Sequence, residues 1–135
     1  MVSLGNCAGG LMITLEIFHQ LFSKARPRVT SKGTFMPVAY RNNQKELLAK
    51  VKEQYDGPPL QGPLRVEMDL YGEGRADIDN VVGAFFDTVN KVLWVDDRIS
   101  IISELSVRWT KCKKEHSTWT VRIYEIGTEQ EELPF

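Results

Sequence analysis

Histidine and cysteine are scarce in this chain, with two of each in 135 residues. His19 and His116 stand alone, and Cys7 and Cys112 lie far apart, so no zinc-ligand spacing is present and no disulfide framework is expected. A reducing, cytoplasmic setting follows as the expectation. Glycines follow an apolar stretch in "YGEGRAD" (71–77), but no Gly-Lys-Ser/Thr does, which excludes a phosphate-cradling P-loop. No serine sits in a nucleophile elbow. Long apolar runs are also missing. The N-terminal "MVSLGNCAGGLMITLEIF" has no basic leader, and Glu16 interrupts it before membrane-spanning length, so no membrane partner is expected.

What remains is an ordinary globular composition, 42% hydrophobic and 26% charged, which rules out disordered and collagen-like classes. A net charge of −1 conceals an uneven distribution. Between His19 and Gln54 stand Lys24, Arg26, Arg28, Lys32, Arg41, Lys45, Lys50 and Lys52, opposed only by Glu46 and Glu53. A second basic patch holds Arg108, Lys111, Lys113 and Lys114, while the acids gather in 67–104 and in the tail "EIGTEQEELPF". Such asymmetry points to a polyanionic partner for one surface, with solvated charged faces as the alternative.

"LMITLEIF" (11–18) alternates Ile13, Leu15 and Ile17 with Thr14 and Glu16, which predicts a strand. Residues 19–37 hold Pro27, Gly33 and Pro37 among cations and read as a long loop. Tyr40, Leu47, Leu48 and Val51 fall near one face of a helix from Val38 to about Gln54. "YDGPPLQGP" breaks the chain, and "LRVEMDLYG" (64–72) places Leu64, Val66, Met68 and Leu70 on one side of a second strand. Beyond the "GEGRAD" loop, Val82, Phe85, Phe86 and Val89 have the spacing of a helix over Asn80 to about Lys91. "RISIISELSVRWT" (98–110) and "TWTVRIYEI" (118–126) predict two more strands about a "KCKKEHS" turn. Trp94, Trp109 and Trp119 read as core or strand-face residues rather than base-stacking platforms. The expected architecture is α+β: an antiparallel or mixed sheet of about four strands with two main helices on one face. It occupies one domain over 11–126, after a flexible lead-in at 1–10 and before an acidic tail at 127–135.

Carboxylates mark both ends of the second helix. Asp77 and Asp79 precede it, and Asp96 and Asp97 close the segment after it. In extended backbone Asp77 and Asp79 project to the same side, and Asp97 joins them if the chain folds back beside the helix start. Two unit charges about 4 Å apart repel by roughly 4 kcal/mol at an effective dielectric near 20, so such a cluster takes up a proton or a cation. Oxygen ligands without nearby histidine or thiolate favour Mg²⁺ or Mn²⁺. The structural alternative has Asp79 as an N-cap, Asp77 adding favourable charge there, and Asp96 and Asp97 as turn residues.

"ADIDNVVGAFFDTVN" followed by "LWVDD" resembles the RusA family of Holliday junction resolvases, whose motif is D-x-D-N, a helix, and a D-D pair. "RPR" (26–28) and the stretch from Thr30 to Tyr40 are similar to the family's upstream basic loop, and the likeness runs in order from 11 to 126. The resemblance implies a homodimeric, Mg²⁺-dependent endodeoxyribonuclease, with Mn²⁺ able to substitute, that makes paired cuts in four-way DNA junctions during recombination and repair. It implies metal-binding catalytic carboxylates at Asp77, Asp79 and Asp97, with Asp96 as helper, Asn80 as the motif's Asn, and the helix as a spacer holding acids against one metal site. Lys24, Arg26, Arg28 and Lys32, with Arg75, Lys111, Lys113 and Lys114, are the DNA-binding residues expected to grip backbone phosphates. The chain departs from the pattern at Gly83, where the family commonly has lysine. Arg75, Lys24 or Arg26 are the candidates to supply that cation. Alternatives are a nuclease preferring other branched DNA, a junction-binding protein that does not cut, and a protein-interaction domain.

Overall fold

Period-two alternation governs the strands of the computed structural model, which describes residues 12–127. The expected lead-in and all but Gly127 of the expected acidic tail lie outside the described residues. In chain order the elements are β1 (Met12–Phe18), β2 (Arg28–Thr30), β3 (Gly33–Phe35), α1 (Val38–Gln54), β4 (Leu64–Gly72), α2 (Ile78–Val89), β5 (Ile102–Lys111) and β6 (Thr118–Glu125). Four strands form a mixed sheet in the order β1-β6-β4-β5, antiparallel except for the parallel β4–β5 pair. This is the α+β arrangement that the alternation predicts. The parallel pair arises because β4 and β5 are joined by a crossover containing α2, as parallel neighbours require.

One face of the sheet packs under the helices. Leu64, Val66, Met68 and Leu70 of β4, Leu15 and Ile17 of β1, and Trp119, Val121 and Ile123 of β6 are almost wholly buried. Helix α1 adds Tyr40, Leu47 and Val51, while Leu48 is only half-buried. Helix α2 buries Val81, Ala84, Phe85, Thr88 and Val89. The expected face of 82, 85, 86 and 89 is therefore rotated: Val82 and Phe86 lie on its flank, half-buried, and Val81 and Ala84 face the core. Aromatic rings tie the layers together, with Phe85 stacked on Trp119 at 5.7 Å and Phe22 edge-on to the same indole at 5.5 Å.

The opposite sheet face is charged and internally paired. Arg122 donates to Asp69 (2.6 Å) and Glu67 (3.2 Å), Arg108 reaches Asp69 (3.2 Å), and Arg65 lies over the Tyr124 ring. The Arg122 hydrogen bond, more than any other influence, holds the Asp69 carboxyl below its ordinary range. These acids are consumed by arginines.

Two expectations fail on local detail. Residues 19–37 are not all loop, because β2 and β3 form an antiparallel hairpin about Ser31 and Lys32. Its turn is closed by side chains: Thr30 Oγ1 donates to the Gly33 carbonyl (3.1 Å) and accepts the Lys32 N–H (3.1 Å). The strand expected from 98 begins only at Ile102, since residues 98–101 turn with Ile101 and Ile102 N–H groups both donating to the Arg98 carbonyl.

Candidate functional site

Stretches distant in sequence meet at one edge of the sheet. Gly72 lies opposite Lys111 in the parallel pair, so β4 and β5 end together, and the Cys112 N–H donates to the Gly72 carbonyl (3.1 Å). β6 starts at this edge, with Thr118 opposite Tyr71, and β1 ends there, with Phe18 opposite Thr118. The chain after β1 then crosses to α2, where the Lys24 N–H donates to the Asn80 carbonyl (2.8 Å). Loops and a helix N-terminus converge at the carboxyl ends of parallel strands, which is why open sheets bind ligands there. Both basic stretches converge on this edge: Lys24, Arg26, Arg75, Lys111, Lys113 and Lys114 are exposed around it, and the hairpin that follows Arg26 carries exposed Arg28 and Lys32.

Asp77 and Asp79 stand at the same edge, both exposed. Asp77 occupies the N-cap position of α2 in extended backbone, yet its carboxylate makes no capping hydrogen bond. The cap position expected for Asp79 therefore belongs to Asp77, and Asp79 sits in the first turn. Negative charge is favoured at this end by the unpaired N–H groups of the helix.

Asp96 and Asp97 are elsewhere. Helix α2 runs away from the edge for 12 residues, about 18 Å at 1.5 Å per residue. The segment beyond it is bound to the far end of β4: Val95 N–H donates to the Leu60 carbonyl, Leu60 N–H to Leu93, and Leu64 N–H to Ile101. Asp96 spends both oxygens locally, one accepting the Asp97 N–H (2.8 Å) and the other Arg98 Nε (2.7 Å). The Arg98 hydrogen bond is the main cause that lowers its pKa. Asp96 thus behaves as a turn residue, and Asp97 is exposed beside it. The expectation that α2 holds acids against one site does not hold within a chain, because the helix separates them to opposite ends of the sheet. Among the described residues no three Asp, Glu, His or Cys side chains are grouped to hold an ion. The described donors of a single chain do not fit the divalent cation that the resemblance implies.

Gly83 lies beneath a side chain from another segment. Lys24 lies across it: a Cβ built on Gly83 would meet Lys24 Cδ at 3.5 Å, and the Lys24 ammonium continues to Asp87 (3.3 Å). A lysine from the preceding segment thus covers the position where the resemblance expects one. Since 3.5 Å is ordinary contact, Gly83→Ala is expected to fit. It should raise stability by about 1 kcal/mol, the helix-interior preference for alanine, read as a melting temperature a few degrees higher. Asp87 also lies 3.5 Å from the Tyr40 hydroxyl, whose pKa is pushed up to about 12 by burial and then by this carboxylate.

Of the two histidines, His19 is withdrawn from general-base work. His19 is buried, bonded to Asn43 (3.1 Å), and burial lowers its pKa, so its 3.8 Å approach to Glu46 is not an ion pair near neutral pH. His116 is exposed in the turn before β6. Trp94 and Trp119 are core residues and Trp109 is a strand-face residue, 41% exposed at the edge just described. Its sequence context, an alternating strand, gives no sign of this, because exposure depends on β5 being the sheet's outermost strand.

The geometry is that of a cationic edge carrying two exposed carboxylates. A family profile described as "Endodeoxyribonuclease RusA" matches residues 20–124, from the segment before Lys24 to the end of β6. No curated protein matches the chain. With the profile covering most of its length, the chain belongs to the RusA endodeoxyribonuclease family.

Proposed function

We propose that this protein is a Mg²⁺-dependent endodeoxyribonuclease that cuts branched DNA, with four-way junctions as its substrate. The observation that carries this reading is the convergence of both basic stretches with Asp77 and Asp79 at one sheet edge. Lys24, Arg26, Arg28 and Lys32 from one side, and Arg75, Lys111, Lys113 and Lys114 from the other, hold backbone phosphates and fix the orientation of the branch without reading sequence. Asp77, whose carboxylate is not used to cap α2, and Asp79 face the phosphate so held. There a carboxylate orients the attacking water and accepts its proton. Lys24, whose ammonium is paired with Asp87, and Arg75, two residues before Asp77, are the cations offered to offset charge developing on the phosphate.

The distance between the two acid pairs supports a homodimer as the working unit. In a two-fold assembly residue i of one chain meets residue j of the other and j meets i, so the N-terminal end of α2 in one chain can meet the segment that follows α2 in the other. The partner subunit's Asp97 would then stand by Asp77 and Asp79 and complete a carboxylate set that one chain does not offer. Two such sites, related by the dyad, suit the paired strands of a junction.

A junction-binding protein that does not cut is favoured by one observation, the separation of the acids within a chain. Incubating the protein with a labelled four-way junction and with plain duplex, with and without Mg²⁺, decides between them. Paired nicks confined to the junction in Mg²⁺ are expected, whereas retardation without nicks supports the binding-only reading. Affinity should fall steeply with salt. Replacing Lys24, Arg26, Arg28 and Lys32 together by alanine should flatten the log–log salt slope by about 3.6, or 0.9 for each phosphate no longer neutralised.

A further inference from the structure

A cavity of about 300 Å³ opens at the same edge, directly beside Asp77. Leu21, Leu70 and Val81 form its apolar depth, Ile78 and Trp109 its more exposed walls, and Arg75 and Glu73 its polar rim. Its size is at the low end for ligand pockets and suits one planar ring system rather than a larger ligand. The indole is held in a defined place. Trp109 Nε1 donates to the Gly72 carbonyl (3.2 Å), and the ring crosses Gly74 so closely that a Cβ there would come within 2.6 Å of it. An aromatic side chain left 41% exposed, immobilised by its polar tip and facing an apolar hollow, is a stacking surface without its partner.

We propose that this cavity receives a single nucleobase, unstacked from the DNA at the branch point, which lies against Trp109. The inference rests on the reading that the protein acts on branched DNA. Charge and position select this occupant. Arg75 on the rim and Lys111, opposite Gly72 in the ladder, are placed for the phosphates flanking an extruded base. Glu73 on the same rim is an acceptor for exocyclic amino groups. Ala76 and Ile78, the neighbours of Asp77, both line the cavity, so a base held in it brings the adjoining phosphodiester to the carboxylates. Bases at a branch have fewer stacking neighbours than those within an arm, so extrusion costs least there. The cavity would thereby contribute preference for branched over continuous duplex, which phosphate contacts alone do not supply.

The test is photo-crosslinking of the full-length protein to four-way junctions carrying 5-iodouracil either at the branch or within an arm, with the adduct located by mass spectrometry. Binding measurements on Trp109→Ala and Trp109→Phe accompany it. An adduct on Trp109 from the branch position alone is expected. Trp109→Ala should weaken junction binding on the order of 5- to 150-fold, the value of one stacked base, with duplex binding unchanged and Trp109→Phe restoring most of the loss. Tight, junction-selective binding with no adduct on Trp109 overturns the cavity assignment and leaves the nuclease reading intact. Equal affinity of the wild-type protein for junction and duplex overturns both. If Trp109→Ala instead shifts the protein from dimer to monomer, the cavity is a subunit contact and the proposal fails.

Discussion

Asp77→Asn is expected to lower Mg²⁺-dependent nicking of a four-way junction by at least about 100-fold, the lower range for loss of a group that moves or orients a proton at the reacting centre. Junction binding should persist or tighten, because a negative charge is removed from a cationic edge. Asp97→Asn should cause a comparable loss if the site is shared between subunits. Mixing the two inactive variants then separates the geometries. In a mixed dimer whose sites combine Asp77 of one chain with the partner subunit's Asp97, one site carries both substitutions and the other carries neither. A statistical mixture should therefore recover about a quarter of wild-type nicking, since half the dimers are mixed and each of those has one of two sites intact. A site contained within each chain gives no recovery in any mixture. Full activity of Asp77→Asn alone would remove the catalytic assignment altogether.

Trp119→Ala is the substitution expected to cost most stability, about 3–5 kcal/mol for deletion of a buried aromatic side chain. Trp119 is fully buried, stacks on Phe85 of α2, meets Phe22 of the segment after β1, and donates its Nε1–H to the Gln20 carbonyl (3.3 Å). It therefore joins the sheet, the second helix and the backbone that carries Lys24 to Asn80. With total stability of ordinary domains at about 5–15 kcal/mol, a denaturant titration should show the midpoint collapsing to a fraction of its wild-type value. Trp109→Ala offers the control, because that indole lies on the open edge and its removal leaves no comparable void in the core. Similar losses for both tryptophans would contradict the division between a core Trp119 and a surface Trp109.

Helix α1 and strands β1, β4 and β6 were legible because their patterns are local. Leu64, Val66, Met68 and Leu70 alternate with charged residues, and only a half-buried strand satisfies that alternation. The hairpin β2–β3 was not legible. All six of its residues are exposed, so no apolar face records its pairing, and its register depends on Thr30 and Gly33 at the turn. The carboxylates divide in the same way. Their placement at the two ends of α2 follows from counting residues. Whether those ends meet does not, because it depends on where residues 93–101 dock, and they dock on Leu60 and Leu64 at the far end of β4.

The sequence by itself determined the helices, the alternating strands, the α+β class and the family motif, since each rests on side-chain periodicity or on spacing within a few turns of chain. Only the tertiary structure decided that Lys24 and 111–114 share one edge with Asp77 and Asp79, that Lys24 covers Gly83, and that Asp97 belongs to the opposite end. The reason is physical: these relations depend on the parallel pairing of β4 with β5 and on the crossing of residues 19–26 to α2. Both are set by burial and backbone hydrogen bonds between segments that carry no mark of each other in the order of their residues.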